Sequence, residues 1–509
     1  MSNARVALLA AVGGALAWLA GPPLHLWPCA LFCLVPLALL CDRAPPRVAL
    51  GRGALAGFFV NLGVFWWLVP TMRRFAELPW PLAVPAGVAF VAWQAAPCAI
   101  AGFVIARTGR PLLALPLALV GAEFVWPTVF PWHLGFLIAR APLTVQAADL
   151  VGYGVASLLC GLTSAAVASR LRPGADRAPL VTLGATWALV LAYGLGRMPE
   201  IDAVRAVAPR LRVGVVQPNF APNQRSAPSG ERREDRLARL REATRELERR
   251  GAEIVLWPES AYPFRLADDR TRDFSSGARE RIGPLNVPLI FGARTGARGK
   301  PQSNSVHVLL PDGRFSGRYD KVHLVPFGET LPLYQPLRPL WDLIPNVGQM
   351  RAGGAATLLA AGGARLGPMI CVEDLVPSHG RALARGGADL LVNLTNDVWF
   401  GKTAAADHHL ASSVFRAIET RRDLVRATLT GISAHVDAAG RIRVASPLRD
   451  LDERAPPETW VIDAARLSLP TVAVGMGDAL PWACAALAAL MVIFAGRERK
   501  KEKNEEPGG

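Results

Sequence analysis

Long apolar stretches constrain this chain more than any other feature of its sequence. Hydrophobic residues make up 51% of its 509 positions. A helix needs about 20 mostly apolar residues to cross the ~30 Å hydrocarbon core of a bilayer. Apolar stretches lie near 6–21, 26–41, 54–71, 80–106, 111–131, 143–169, 179–196 and 470–495. The sequence therefore predicts a polytopic α-helical membrane domain of about eight transmembrane helices, interrupted by one polar domain.

The basic residues predict how these helices are oriented, because cytoplasmic loops carry an excess of Lys and Arg. With the N-terminus inside, the inside segments hold Arg5, Arg43, Arg47, Arg52, Arg107, Arg110, Arg170, Arg172, Arg177 and the basic run from Arg497 to Lys503. The short outside loops hold Arg73, Arg74 and Arg140. Residues 6–21 have the length of a signal peptide, but the apolar spans that follow directly favour an uncleaved helix.

Seven crossings before residue 200 place the polar domain on the outer face of the membrane. We predict a membrane domain over 1–200, a polar domain over 210–465, a returning helix over 469–496 and a basic cytoplasmic tail over 497–509. The net charge of +15 favours anionic headgroups at a bilayer surface. The basic residues are scattered and are not interleaved with aromatic residues, so we expect no nucleic acid partner.

The polar domain contains a single cysteine, Cys371. The others lie in or beside apolar stretches: Cys29, Cys33, Cys41, Cys98, Cys160 and Cys484. Cys371 therefore has no disulfide partner in its own domain, and it is either a small buried hydrophobe or a nucleophile. The sequence around it predicts a strand end followed by a helix start, where a thiolate is favoured. An isolated cysteine after an apolar run is more often buried than catalytic, so the choice depends on motifs elsewhere.

Short apolar runs alternate with helical patterns through the polar domain. Predicted strands are Arg212–Gln217, Glu253–Trp257, Val287–Ala293, Ser305–Leu310, Arg314–Tyr319, Leu366–Ile370, Ala388–Leu394, Leu424–Thr430, Ile432–Val436 and Arg441–Val444. Predicted helices are Glu231–Arg250, Ser378–Arg385 and Thr403–Arg421. Apolar strands between helices indicate a layered α/β sandwich.

Three polar motifs sit at predicted strand ends. They are Leu256-Trp-Pro-Glu259-Ser, Tyr319-Asp-Lys321-Val-His-Leu-Val-Pro-Phe-Gly-Glu329 and Ile370-Cys371-Val-Glu373-Asp. Each motif alone is weak, since Glu after Pro and Lys in a loop are usually surface residues. Together Glu259, Lys321 and Cys371 supply a base, a cation and a nucleophile, which cysteine-based acyl transfer needs. Lys321 and the backbone N–H of Val372 are the expected oxyanion donors.

With Leu394-Thr-Asn-Asp-Val-Trp-Phe-Gly401, these motifs resemble the nitrilase, or carbon–nitrogen hydrolase, superfamily over 212–465. Eight spans around such a domain resemble the bacterial apolipoprotein N-acyltransferase family, over nearly the whole chain. The resemblance implies an αββα sandwich and a Glu259–Lys321–Cys371 triad without metal or organic cofactor. It also implies supporting roles for Glu329, in orienting Lys321 or in proton transfer, and for Glu373, in shaping the surroundings of the thiol. Position 372, often Tyr in this family, is Val372 here.

Other polar and apolar residues give weaker indications. Asn396 and Trp399 follow a predicted strand and either line the substrate pocket or form a turn. Residues 331–350 form a Pro-broken apolar segment that includes Trp341 and Leu343. This segment either packs on the core of its own domain or forms an arm that dips into the bilayer surface or covers an acyl-chain pocket. His408 and His409 are adjacent, so they point to different faces of a helix, and no zinc ligand spacing surrounds them.

The family resemblance implies a two-step, ping-pong reaction at the bacterial cytoplasmic (inner) membrane, on its periplasmic side. Cys371 takes an acyl chain from a phospholipid as a thioester, and the N-terminal amine of a diacylglyceryl-cysteine apolipoprotein then accepts it. Nothing in the sequence demands more than a monomer. A membrane-tethered nitrilase-type amidase shares the triad but leaves eight spans unexplained. A transporter or scaffold predicts charged residues within the spans, where Glu123 and Asp149 are the main candidates.

Overall fold

The computed structural model describes residues 1–505 apart from 76, 173, 175, 221–231, 298, 332–348, 449–450 and 453–454. The chain divides into two compact units. One unit comprises Met1–Val69, Pro79–Met198 and the chain from Met476 onward. The other comprises Pro70–Leu78 and Pro199–Gly475. We call them the apolar unit and the α/β unit.

The N-terminal 200 residues and the C-terminus are helical. The helices there are α1 (Asn3–Ala20), α2 (Val35–Cys41), α3 (Pro46–Phe65), α4 (Leu68–Phe75), α5 (Trp80–Gln94), α6 (Ala96–Thr108), α7 (Pro111–Val125), α8 (Ala148–Val151), α9 (Gly154–Arg170) and α10 (Ala178–Val207), with α14 (Val472–Met476) and α15 (Ala479–Glu505) at the end of the chain. Short 3-10 helices span Trp27–Leu31, Leu134–Ile138 and Pro142–Val145.

Among the residues that the structure describes, five helices are long and apolar enough to cross a membrane. They are Asn3–Ala20, Pro46–Phe65, Trp80–Thr108, Ala178–Val207 and Ala479–Glu498. The shorter apolar helices are Trp27–Cys41, Pro111–Val125 and Gly154–Arg170. These helices coincide with the predicted apolar stretches, whereas the number of crossings stays a prediction. The second stretch is broken between a 3-10 helix and α2, and Pro36 lies at the start of α2.

Small residues let α1 and α3 pack with their backbones close together. A Cβ atom built on Gly14 would lie 2.5 Å from the Phe59 carbonyl oxygen, and one on Gly63 would overlap the Gly14 carbonyl. Close approach through small residues is how apolar helices associate where burial from water gives no driving force. This contact is therefore consistent with a helix pair packed within a bilayer.

The charged residues of the apolar unit hold its own structure together. Glu123 Oε1 accepts a hydrogen bond from the Leu134 N–H at 2.9 Å, and its Oε2 lies 3.7 Å from His133 Nδ1. Asp149 accepts hydrogen bonds from the Tyr193 hydroxyl at 2.7 Å and from Arg197 Nε at 2.8 Å. Glu123 thus connects the end of α7 to the 3-10 helix that follows it, and Asp149 connects α8 to α10.

Two sheets form the centre of the α/β unit. The strands are β1 (Arg210–Gln217), β2 (Ile254–Trp257), β3 (Arg265–Leu266), β4 (Leu289–Thr295), β5 (Ser303–Leu309), β6 (Phe315–Asp320), β7 (Leu359–Ala361), β8 (Ala364–Ile370), β9 (Leu390–Thr395), β10 (Leu424–Thr428), β11 (Ala434–Val436), β12 (Ile442–Ala445) and β13 (Glu458–Ala465). The first sheet has the order β13-β1-β2-β4-β5-β6, with β3 also on β4, and the second has the order β12-β11-β10-β9-β8-β7.

Helices cover both sheets, so the layers run helix, sheet, sheet, helix. The helices are α11 (Arg233–Arg249), α12 (Pro377–Arg385) and α13 (Ala405–Thr420). Helix α11 packs on the first sheet, α12 and α13 pack on the second, and β1 and β2 contact β10 between the sheets. Leu237, Leu240 and Leu247 of α11 are fully buried. The predicted αββα sandwich is confirmed, and it agrees with a carbon–nitrogen hydrolase domain.

The strand directions decide where functional residues meet. Strands β1, β2 and β4 run parallel in the first sheet, and β8, β9 and β10 run parallel in the second. The carboxyl ends of parallel strands form the usual site for ligands in open α/β sheets. Strand β13 was not predicted from the sequence; it pairs antiparallel with β1 along its full length, from Arg210–Ala465 to Gln217–Glu458.

Candidate active site

Cys371 lies directly after β8, at the first residue of a 3-10 helix that spans Cys371–Leu375. Its φ of +53° puts it in the left-handed region, which costs a non-glycine residue about 1–3 kcal/mol. Neighbouring groups hold this conformation. The Asn393 amide donates to the Cys371 carbonyl at 3.0 Å, and Glu373 Oε2 accepts from the Ile370 N–H at 2.7 Å. The side chain is only 8% exposed.

Glu259 follows β2 by two residues, and a glycine of the adjacent strand makes room for it. A Cβ atom on Gly292 of β4 would lie 2.6 Å from the Glu259 Cα atom. The Gly292 N–H also donates to the Pro258 carbonyl at 3.2 Å. The close approach of the two backbones fixes the direction in which Glu259 leaves the sheet.

Lys321 follows β6 and lies between two carboxylates. Its Nζ atom is 2.7 Å from Glu329 Oε2 and 3.9 Å from Glu259 Oε1. The Asn304 amide of β5 donates to both acids, at 2.5 Å to Glu259 Oε1 and 3.0 Å to Glu329 Oε1. Lys321 is 1% exposed and is therefore shielded from water. The structure thus brings the predicted cation and two predicted acids into one buried cluster.

The two acids differ in the pKa that their surroundings impose. Burial raises the pKa of Glu259, and the more distant Lys321 ammonium only partly opposes this. Burial acts in the same direction on Glu329, but the charge and hydrogen bond of Lys321 outweigh it and lower the pKa of Glu329. Glu329 is therefore the counter-ion of Lys321, whereas Glu259 is the acid that accepts a proton more readily.

Burial and the nearby Glu259 carboxylate raise the pKa of the Cys371 thiol. The Lys321 ammonium and the nearby Thr395 hydroxyl act in the opposite direction but are weaker. The expectation that a helix start would favour the thiolate is wrong here, because burial and the Glu259 carboxylate outweigh any effect of the short 3-10 helix. The resting thiol keeps its proton and needs a base.

Glu373 connects the two loops that carry the nucleophile and the cation. Its Oε1 atom accepts from the Tyr319 hydroxyl at 2.7 Å, from the Val322 N–H at 2.7 Å and from the His323 N–H at 3.1 Å. Its Oε2 atom accepts from Ile370, directly before the nucleophile. One buried carboxylate therefore sets the distance between the Lys321 loop and the Cys371 turn.

The remaining predicted site residues have varied positions. Val372 is buried in the 3-10 helix next to the nucleophile. The side-chain oxygen of Asn396 accepts from the Val398 N–H at 3.1 Å, which makes a turn after β9, and Trp399 is half-buried in the following 3-10 helix. Trp341 and Leu343 lie outside the described residues.

Two polar residues of the cluster were missed in the sequence. Asn304 lies within a fully buried strand, and Thr395 ends β9 beside the thiol. The sequence did contain a signal for them, namely a polar residue within an otherwise apolar strand. A buried polar side chain needs a hydrogen-bond partner, so such a residue indicates a buried polar contact. The sequence does not say which partners. Within the described part of the chain, no group of three or more His, Cys, Asp or Glu residues is arranged to hold a metal ion.

Comparison with known proteins gives two family matches. The apolipoprotein N-acyltransferase N-terminal domain family matches residues 13–166, and the carbon-nitrogen hydrolase family matches residues 212–452. A relative from Geobacter metallireducens, named apolipoprotein N-acyltransferase, is 32% identical over 97% of this chain and 95% of its own. One of the same name from Azotobacter vinelandii is 32% identical over 98% of this chain and 96% of its own.

Among solved structures, a nitrilase-superfamily protein of Saccharomyces cerevisiae covers 50% of this chain and 90% of its own. The two share 14% identity, with a TM-score of 0.38.

Proposed function

The chain belongs to the apolipoprotein N-acyltransferase family, and we propose that it carries the acyl chain as a thioester on Cys371. The donor is a phospholipid, and the acceptor is the N-terminal amine of a diacylglyceryl-cysteine apolipoprotein. The observation that carries this proposal is the division of roles between the two acids. Glu329 neutralises Lys321 at 2.7 Å, which leaves the raised-pKa Glu259 as the proton acceptor for a buried thiol.

In the first step, Glu259 takes the proton of the Cys371 thiol as the sulfur attacks the ester carbonyl of the phospholipid. The Lys321 ammonium, with the Val372 N–H, stabilises the negative oxygen of the tetrahedral intermediate. When the C–O bond breaks, Glu259 returns the proton to the departing alkoxide. The products are a lysophospholipid and an S-acyl Cys371.

In the second step, the apolipoprotein amine attacks the thioester and Glu259 accepts the amine proton. The C–S bond then breaks and the proton returns to the sulfur, which restores the thiol and completes an amide. The same base and the same cation therefore serve both halves of the reaction. Because the first product leaves before the amine enters, two large lipids can use one site in turn.

We place the protein in the bacterial cytoplasmic membrane as a multi-pass monomer, with the α/β unit on the periplasmic side. Support comes from the long apolar helices before residue 200 and from Ala479–Glu498. The Arg and Lys residues concentrate in alternate loops, as the positive-inside rule requires. Keeping acyl chains in lipid avoids a transfer cost of about 0.8 kcal/mol per CH₂ group.

The proposal is tested by following N-acylation of a diacylglyceryl-cysteine lipopeptide in phospholipid micelles. We expect product from the wild-type chain and none from Cys371→Ser. Cys29→Ser is the matched control, since Cys29 is a half-buried cysteine of the apolar unit and should leave the activity intact. Release of free fatty acid without lipopeptide product would instead indicate a hydrolase. Full activity of Cys371→Ser would refute the proposal.

A further inference from the structure

Four buried ionisable residues form a cluster next to the 3-10 helix that begins at Cys371. They are Asp374, Asp397, His409 and Arg426. His409 Nε2 lies 3.0 Å from Asp374 Oδ1, and its Nδ1 lies 3.0 Å from Asp397 Oδ1. Arg426 bridges the same two acids, with Nη1 3.1 Å from Asp374 Oδ2 and Nη2 3.0 Å from Asp397 Oδ2. We call these four residues the charge quartet.

The quartet pairs two acidic side chains with two basic ones. Burial and the charge of Arg426 act to lower the pKa of His409, but Asp374 and Asp397 outweigh them and raise it to about 9. The two carboxylates therefore favour the protonated imidazole, whereas Arg426 Nη2, 2.8 Å from His409 Nδ1, opposes it. The neighbouring buried charges are Arg416, 3.4 Å from the Asp374 carbonyl oxygen, and Glu419, 2.9 Å from Arg416. Glu259 and Lys321 are the other charged groups that act on Cys371.

The quartet contacts the nucleophile turn through its backbone. Asp374 belongs to the 3-10 helix that Cys371 begins. Arg426 Nη1 donates to the Asn393 side-chain oxygen at 3.1 Å, and the Asn393 amide donates to the Cys371 carbonyl at 3.0 Å. Arg426 therefore supports the left-handed conformation of Cys371 by two routes.

The quartet also acts on the thiol through charge. The Asp397 carboxylate is one of the groups that raise the pKa of Cys371, after burial and Glu259. Arg426 Nη2 and His409 Nδ1 each lie 3.0 Å from an oxygen of that carboxylate. Water screens charges only weakly in a buried site. The net charge of Asp397 and its cationic partners therefore affects the pKa of the Cys371 thiol.

We propose that Arg426 and His409 are positioning residues for acyl transfer, which hold the Cys371 turn and cancel the charge of Asp397 at the sulfur. The contribution of Asp397 to the thiol pKa is then smaller than that of burial and Glu259. The role of the quartet in catalysis rests on the proposed thioester function. Its effect on the reactivity of the Cys371 thiol does not depend on that function. It can therefore be measured without an acyl donor.

The test compares two near-isosteric variants that change the quartet charge in opposite directions. Arg426→Gln leaves it one unit negative, and Asp397→Asn leaves it one unit positive. The readout is the rate of Cys371 alkylation by iodoacetamide from pH 6 to 9, measured on the Cys371 peptide by mass spectrometry. We expect the rate at pH 8 to fall about tenfold in Arg426→Gln and to rise about tenfold in Asp397→Asn, which corresponds to one unit of thiol pKa.

If the quartet only stabilises the fold, both variants should lower the alkylation rate of Cys371 or leave it unchanged. Either outcome would overturn the proposal, and the sign in Asp397→Asn alone decides if Arg426→Gln does not fold. Glu419→Gln is the control, since it disturbs a buried ion pair of α13 outside the quartet and should leave the alkylation rate unchanged. Opposite shifts in thiol reactivity without any lipopeptide acylation would leave this inference standing and refute the proposed function.

Discussion

The Nζ atom of Lys321 lies 2.7 Å from Oε2 of Glu329. Glu259, the other acid of the cluster, is 3.9 Å from the same ammonium. Lys321 therefore has a permanent counter-ion, and its charge can act on a developing oxyanion without first breaking a bond to the base. These two distances are consistent with different roles for the two glutamates, with Glu329 as the residue that orients Lys321 and Glu259 as the base.

Replacing the counter-ion should impair the base. In Glu329→Gln the Lys321 ammonium loses its nearer carboxylate, so it pairs with Glu259 and lowers the pKa of that residue. We expect single-turnover formation of the acyl-enzyme to slow by about 100-fold, in the lower range of general-base contributions. Glu280→Gln is the control, because Glu280 is a half-buried acid that pairs with Arg279 and takes no part in the Lys321 cluster. A change of less than threefold would contradict the division of roles.

Removing the charge of the base should stabilise the protein. Burial raises the pKa of Glu259, so the folded state binds its proton more tightly than the unfolded state does. Stability is therefore lost as the pH rises past the ordinary carboxyl pKa. We expect Glu259→Gln to unfold at a higher temperature than wild type at pH 7 and to be inactive. A lower unfolding temperature at pH 7 would show that the charged form is favoured.

Glu373 should matter for both folding and rate. Its carboxylate accepts hydrogen bonds from Tyr319, Val322, His323 and Ile370, and an amide in Glu373→Gln places N–H groups against some of these donors. Leaving buried groups unpaired costs about 1–3 kcal/mol each. We expect loss of at least this much unfolding free energy, with a fall in acylation rate. If Glu373→Gln were as stable as wild type in chemical denaturation, Glu373 would not be needed to connect the Lys321 loop with the Cys371 turn.

The quartet should make stability depend on alkaline pH. The pKa of His409 is raised from an ordinary 6.5 to about 9, so its contribution is complete below pH 6.5 and is lost as the pH rises through 9. The two values imply on the order of 3 kcal/mol. We expect the unfolding free energy to fall between pH 6.5 and 9.5 in wild type. His409→Gln should be less stable at pH 6.5 and should show a smaller fall.

The positions of Glu259, Lys321 and Cys371 just after strands could be predicted from the sequence, because each residue lies in a short polar motif that follows an apolar run. Glu259 comes two residues after β2, Lys321 one residue after β6 and Cys371 one residue after β8. Strand periodicity placed these ends within a few residues. Parallel central strands then bring their carboxyl ends to one side of the domain.

The supporting contacts could not be predicted, because their partners are far apart in sequence. Arg426 and Asp374 are separated by 52 residues, and Asn304 and Glu259 by 45. Strand β13 was missed for the same reason, since Asp463 meets Arg210 across 253 positions. The activation of the thiol was misjudged because burial, which no local pattern reveals, outweighs the effect of a short helix start.

The central claim is that Cys371 carries the acyl chain. The most direct test is intact-protein mass spectrometry after incubation with a phospholipid of defined acyl chains and no acceptor, comparing wild type with Cys371→Ala. The account predicts one added acyl chain on wild type, removed by hydroxylamine, and no addition on Cys371→Ala. An acyl adduct on both proteins, or on neither while lipopeptide acylation proceeds, would contradict it.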